Sequence, residues 1–313
     1  MSSNANDLVI RRFTNDWLIR FAELHYFEPF DLPNNSNTEV LAHYSITSKY
    51  TAISPLFTHI ITQYTPYLYY NFNFYVKNDK IADNKLHGLF HDFTLPTPKK
   101  WNVFISETCR IGDLTPGTVS WLAKNCVTFY SRDLRISDFA EPIINTMTTY
   151  ELKYLLNSCK FDRKVEICAI LTDSIAFAEV CPLVAHCKDI TIDVKNMVFD
   201  GNVANVLREN QLCPNFFLLH ELDLSERAFL EMLDYFLVLP VCDRVLSFKF
   251  VKRQPVSLSK AIAAKYEHAG VMFLDLILPK SPFYTCDIHT YEQNGIPWVK
   301  ISMSDLPSNL RQA

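Results

Sequence analysis

"PNFFLLHELDLSERAFLEMLDYFLVLPVCDRVLSFKF", residues 214–250, holds the pattern on which the fold turns. Phe216–Leu222 is a short apolar run of strand length. Ser225–Leu237 follows with apolar residues at helical spacing, and Val245–Phe250 returns to a strand-like run of β-branched and aromatic residues. Strand, helix and strand in such short order form a βα unit, whose strands are joined by a crossover and so run parallel.

The same alternation extends in both directions. Strand-like runs occur at Cys126–Tyr130, Val165–Ile170, Ile190–Asp193, Val271–Leu276 and Trp298–Ser302. Between them lie helical runs at Thr149–Leu156, Ile175–Ala185, Val203–Asn210 and Leu258–His268. Thr148 and Glu151 have the spacing of a capping box at one helix start. Apolar triplets recur as Leu219/Leu222/Leu224, Val245/Phe248/Phe250, Val271/Leu274/Leu276 and Ile296/Val299/Ile301. Their middle residues, 222, 248, 274 and 299, lie 26, 26 and 25 residues apart.

That period and triplet resemble a leucine-rich repeat, which spans ~20–29 residues with one strand per repeat. The resemblance implies an α/β chain: a small N-terminal helical module, then a leucine-rich-repeat-like βα solenoid with a parallel sheet on one side and helices on the other. The Asn or Cys that normally follows the repeat strand is missing after Leu224, where Ser225 stands. Upstream units fit in a shifted register, as Cys187/Ile190/Ile192. The last unit, "SPFYTCDIHTYEQNGIPWVKI", shows no helical run. The other architecture with such spacing is an α/β sandwich with βα units of similar length. A doubly wound version would need a ligand loop at a strand end, and none of the six glycines belongs to a glycine-rich one.

Three segments follow from these patterns: a helical module over residues 1–64, a connecting segment or N-terminal cap over 65–125, and the βα repeats over 126–313. In the module, Trp17, Leu18, Phe21 and Leu24 recur at helical spacing. Asn37 or Thr38 can cap a second helix carrying Leu41 and Tyr44, and Ser54-Pro55 opens a third with Leu56, Ile60 and Ile61. Lys49 suits a helix C-terminus. "YTPYLYYNFNFYV" and Trp101–Ile105 are extended in character.

Composition narrows the function. A net charge of -4 argues against a general nucleic-acid binder, which shows a basic field. The start lacks the apolar core of a signal peptide, and no run approaches the ~18 apolar residues of a membrane helix. Nine cysteines, several within apolar runs, then read as reduced core residues, and the expected location is the cytoplasm or nucleus.

Catalytic and metal motifs are absent: no G-x-S-x-G, no H-E-x-x-H, no phosphate-binding loop and no paired C-x-x-C. Cys181, His186 and Cys187 lie a hundred residues from Cys286 and His289, too far apart in sequence for two close ligand pairs. They are expected in the core; neither a metal nor a cofactor is expected, and the chain reads as a non-enzyme. His87 and His91 could share a helix face, without a third ligand nearby. Asp113 reads as a turn residue. In a strand His220 and Glu221 point to opposite faces, as surface polarity. Function in a repeat array is carried by the exposed side of its sheet. The outward positions there are Asp189, Thr191, Asp193, Glu221, Asp223, Lys249 and Asp275.

Residues 41–49, Leu-Ala-His-Tyr-Ser-Ile-Thr-Ser-Lys, add a second resemblance. Leu41, Tyr44, Ser45, Ser48 and Lys49 align with the middle helix of an F-box, which reads leucine-x-x-leucine-serine-x-x-serine/cysteine-lysine. The chain as a whole resembles divergent nematode F-box-like proteins with a repeat-bearing C-terminal region. It departs from the F-box pattern in lacking a leading Leu-Pro and a tryptophan soon after Lys49, and in an insertion over residues 27–38.

The resemblance implies a substrate adaptor of a cullin–RING ubiquitin ligase. Its helical module would dock on the small linker subunit through Trp17, Leu18, Phe21, Leu41, Tyr44 and Leu56. Its repeats would hold a protein substrate, with no nucleic acid or membrane involved. The alternative is a stand-alone repeat protein that binds another protein or peptide, with the first helices only sealing the array.

Overall fold

The computed structural model describes residues 67–77, 79–84, 90–92, 101–115, 117–137, 145–239, 244–251, 273–277, 284–293 and 296–305, with Trp17, Ile19, Pro55, Leu56, His59, Ile60, Ala261, Ile262 and Lys265. Fifteen strands and five helices are delimited among them. The chain forms two compact units, residues 1–109 with 117–131, and residues 110–116 with 132–313.

The first unit is built on β1 (Tyr67–Tyr70), β2 (Asn73–Lys77), β3 (Lys80–Asn84), β4 (Phe90–Asp92), most of β5 (Asn102–Ile111), α1 (Thr118–Lys124) and the start of β6 (Val127–Ile136). Its strand order is β5-β2-β3-β4, with β1 parallel to β5 and the β2–β3 and β3–β4 pairs antiparallel. The aromatic runs singled out in the sequence supply its core. Phe104 stacks on Tyr69 at 4.5 Å, meets the edge of Phe74 at 5.0 Å and lies 5.4 Å from Phe129. The described part of residues 65–125, expected as a connector or cap, thus contains five strands and a helix.

The second unit continues with the end of β6, then β7 (Asn145–Met147), α2 (Thr149–Ser158), β8 (Cys159–Lys160), β9 (Lys164–Ala176), α3 (Phe177–Val184), β10 (Asp189–Val198), α4 (Val203–Glu209), β11 (Phe216–Leu222), α5 (Glu226–Leu237) and β12 (Arg244–Phe250). The remaining strands are β13 (Phe273–Ile277), β14 (Tyr284–Gln293) and β15 (Ile296–Asp305). The strand order is β13-β14-β15-β12-β11-β10-β9-β6, an open α/β sheet that does not close into a barrel.

From β6 to β12 every pair along this order is parallel. Apolar side chains stack in register across it. Leu134, Val165, Ile190, Phe217 and Leu246 form one buried row, and Ile136, Ile167, Ile192, Leu219 and Phe248 the next. Helices α2, α3, α4 and α5 pack each against the next, and α2 and α3 lie against β9.

Helices α2 and α5 are each started by a side-chain cap. Thr148 accepts from the Glu151 N–H at 3.2 Å while its own N–H donates to Glu151 Oε2 at 2.8 Å, so the expected capping box is present. Ser225 Oγ accepts from the Ala228 N–H at 3.1 Å and opens α5, which buries Phe229, Met232, Leu233 and Phe236. The end of α5 is held by Arg244, whose side chain is almost wholly buried. Arg244 Nε donates to the Pro214 carbonyl at 2.8 Å and Nη1 to the Phe236 carbonyl at 3.4 Å. A cation suits the partial negative charge of a helix C-terminus.

Two expectations are corrected. The parallel array ends at β12. Strand β15 joins β12 antiparallel, and β14 and β13 follow antiparallel in turn. Only Asn294 and Gly295 separate β14 from β15, and a two-residue connection can join neighbours only antiparallel. The phase also shifts: Phe248 lies opposite Leu219, twenty-nine residues back, not opposite Leu222. The cause is a bulge in β11, between Leu219 and Leu222, with Glu221 at φ 57°.

Candidate functional site

Among the described residues, the helices lie on one face of β9–β12. On β10, Ile190, Ile192 and Val194 are buried under the helices, while Asp189, Thr191 and Asp193 alternate with them and are half-buried. Phe216, Leu218 and His220 take the same outward positions on β11, and Val245 and Lys249 on β12. Lys164, Glu166 and Cys168 do so on β9. Glu166 is within 3.2 Å of Lys164 and 3.9 Å of Arg135 on β6, so much of the charge on that side is internally paired.

Strict alternation along β11 would send Glu221 into the core beneath the helices. The bulge prevents this by inserting one extra residue, so that two polar residues, His220 and Glu221, stand between buried Leu219 and Leu222. The expectation that His220 and Glu221 point to opposite faces rested on regular alternation, which the bulge interrupts; the outward place expected for Glu221 fits its half-buried position. β10 has a similar irregularity between Lys195 and Met197, where Asn196 adopts φ 70° and its side-chain amide donates to the Leu171 carbonyl at 2.6 Å.

His220, on the outward side with Phe216 and Leu218, is the centre of a row that crosses four strands. Its Nδ1 lies 2.8 Å from Asp193 Oδ2 on β10, and its side chain is only 13% exposed. The carboxylate sits off the N–H line, so both ring nitrogens are buried without an aligned hydrogen bond; the contact is electrostatic. On the other side the imidazole meets the Trp298 indole of β15 edge-on, with centroids 5.0 Å apart and planes at 85°. Lys249 of β12 places its ammonium 5.8 Å from the same indole centroid, within cation–π range. Burial pushes the Asp193 carboxyl up, but the His220 contact and the positive charges of His220, Lys249 and Lys195 outweigh it. The carboxyl is held below its usual range.

Three of the expected outward residues thus share this neighbourhood: Asp193 and Lys249 belong to the row, and Glu221 occupies the bulge beside it. Asp189 and Thr191 lie further back along β10, and Asp223 is exposed just beyond the end of β11. Asp275 is in β13, and its side chain lies outside the described residues. His220 was set aside in the sequence and Trp298 marked only a strand. Their signal is the paired polar residues between Leu219 and Leu222, which breaks the alternation of a regular strand.

Among the six module residues, Trp17 and Leu56 are in helical stretches and are 44% and 47% exposed. Leu18, Phe21, Leu41 and Tyr44 lie outside the described residues.

The remaining candidates have local explanations. Cys181 and Cys187 are buried, and burial pushes both thiols up to about 12. His186 Nε2 lies 2.7 Å from the Phe161 carbonyl. Asp113 sits at φ 47°, a conformation suited to a turn. His91 is in strand β4, which removes the shared helix face proposed for it; His87 lies outside the described residues. Among the described residues no group of three or more His, Cys, Asp or Glu could hold a metal ion, and no helix is long and apolar enough to cross a membrane.

No family model, curated protein or solved structure matches the chain.

Proposed function

We propose that β6–β12 with their helices are degenerate leucine-rich-repeat-like units of a solenoid, and that the chain is a non-catalytic protein-binding adaptor. Its N-terminal F-box-like module docks on the linker subunit of a cullin–RING ubiquitin ligase while the sheet face opposite the helices holds a substrate protein. Such a subunit needs no reactive groups of its own; it acts by raising the local concentration of one protein beside another.

The observation that carries the reading is that, among the described residues, helices lie on one face of β9–β12 only. A sheet that buries Ile190, Ile192, Phe217 and Leu219 beneath helices presents Phe216, Leu218 and Val245 among charged side chains on its other face. Half-buried apolar residues within a polar rim are the composition of a protein-binding surface. The exposure of Trp17 and Leu56 supports the docking half, since apolar side chains that only seal an array end are covered by it.

The test is co-purification of the full chain with the linker subunit. Wild type is expected to recover it, and the W17A/L56A double variant to lose most of the recovery. Absence of the linker, under conditions in which a genuine F-box protein brings it down, removes the ligase reading.

A further inference from the structure

The row across β10, β11, β12 and β15 joins the parallel array to the antiparallel strands that follow it. Phe248 faces Val299 and Lys249 faces Trp298 in the β12–β15 ladder, so among the described residues β15 is paired to the array through β12. His220 reaches past β12. It touches Asp193 one strand to one side and Trp298 two strands to the other. It thus bridges from inside the array to the antiparallel part without using the ladder.

We infer that Asp193, His220 and Trp298 form a proton-operated clasp, in which protonation of His220 fastens β15 to the βα array and loss of that proton loosens it. Imidazole is the side chain whose charge ordinarily changes between pH 5 and 8. The groups facing it decide the sign. From β10 come the Asp193 carboxylate, at 2.8 Å, and Lys195 two residues on; from β12, Lys249; from β15, Trp298 and exposed Lys300; from β9, Cys168 opposite Asp193; and on its own chain, Glu221 and Asp223.

The nearest of these, Asp193, is an anion. The contact with His220 is the largest of the influences that hold its carboxyl low, and together they overcome its burial. The carboxylate stands 2.8 Å from the ring, so a proton added to His220 strengthens its attraction to Asp193, and a cationic ring against the Trp298 indole gains an attraction that a neutral ring lacks. With the proton gone, a neutral ring remains, buried, with neither nitrogen in an aligned hydrogen bond, and such a group costs free energy that the charged pair offsets. The clasp is therefore tight on the acid side and loose on the alkaline side.

The experiment uses the full chain with 13C-labelled histidine rings. The chain has nine histidines, and the His220 signal is assigned by its loss in H220N, or in H220Q if the first variant does not fold. The His220 ring resonance is expected to move through a single-proton curve between pH 5 and 8, and D193N to carry its midpoint to lower pH by removing the anion. Hydrogen exchange of the peptide spanning 296–305 is then compared between wild type and the His220 variant at each pH, which cancels the intrinsic pH dependence of exchange. The wild-type protection relative to the variant should be severalfold greater at pH 5.5 than at pH 7.5. A flat ring resonance, a D193N midpoint that stays or rises, or a protection ratio indifferent to pH overturns the clasp.

Discussion

Strands β9–β12 and strands β12–β15 share one sheet but are joined by different means. In the first set a helix carries the chain from each strand to the next, and all strands run the same way. In the second, each neighbour runs opposite to the last. The buried rows ignore the difference. Val165, Ile190, Phe217 and Leu246 are continued by Ile301, and Ile167, Ile192, Leu219 and Phe248 by Val299. A core row asks only that each strand offer an apolar side chain at the same height, and either direction supplies it. Apolar period alone therefore cannot distinguish a repeat from a hairpin added to the end of one.

The two sets should differ in what a core deletion costs. Phe229 is fully buried in α5, with ring centroids 5.5 Å from Phe248 and 5.0 Å from Phe250. F229A removes a helix-to-sheet contact on which the array depends and should cost about 3–5 kcal/mol in urea unfolding. Val299 is equally buried on β15 but smaller, and V299A should cost about 2 kcal/mol. Equal losses would mean that the antiparallel part depends on core packing as much as the helix-covered part, and that the contrast lies in connection alone.

The same contrast explains what could be read from the chain. Elements were legible wherever a side-chain pattern is local. The strand runs at 165–170, 190–193, 216–222 and 245–250 and the helix runs at 149–156, 203–210 and 225–237 all fall on observed elements, and the Thr148–Glu151 box is formed. Direction and register were not legible from the triplets. Ile296/Val299/Ile301 matched the earlier ones because the core row continues, while the hairpin signal, Asn294-Gly295, sat just ahead of it and carried the true direction. Leu222 was aligned with Phe248 because the bulge at Glu221 adds a residue that no periodicity anticipates. The row around His220 was illegible for a third reason. Asp193, Lys249 and Trp298 are 27, 29 and 78 residues from His220 in the chain, and only the register of three ladders brings them together.

Bulges are thus what make the array's outer face differ from a regular pleat, and Asn196 offers a way to weigh one. Its positive φ and its bond to the Leu171 carbonyl are separable by substitution. N196G keeps the backbone conformation and loses only the bond, for about 1 kcal/mol. N196A loses the bond and also places a Cβ in the left-handed region, for about 2 kcal/mol in all. Thermal unfolding of the two side by side is the measurement. If alanine is tolerated as well as glycine, the backbone there relaxes and the bulge is not held by its own geometry.

The smallest expected effect concerns Asp193, where the array meets the antiparallel strands through His220. Its carboxyl is held below its usual range, so the native state gives up this proton more readily than the unfolded chain, whose aspartates titrate near ~3.9. The sign follows directly. Above that value both states are ionised and the stabilisation from the folded environment is present. As the pH falls through the folded value the native carboxylate must accept a proton, and the stabilisation is lost. The stability difference between wild type and D193N, measured by urea unfolding at a series of pH values, should therefore be full near pH 5 and shrink steadily below pH ~4. A difference that persists unchanged to pH 2.5 would mean that Asp193 contributes through packing and not through its charge.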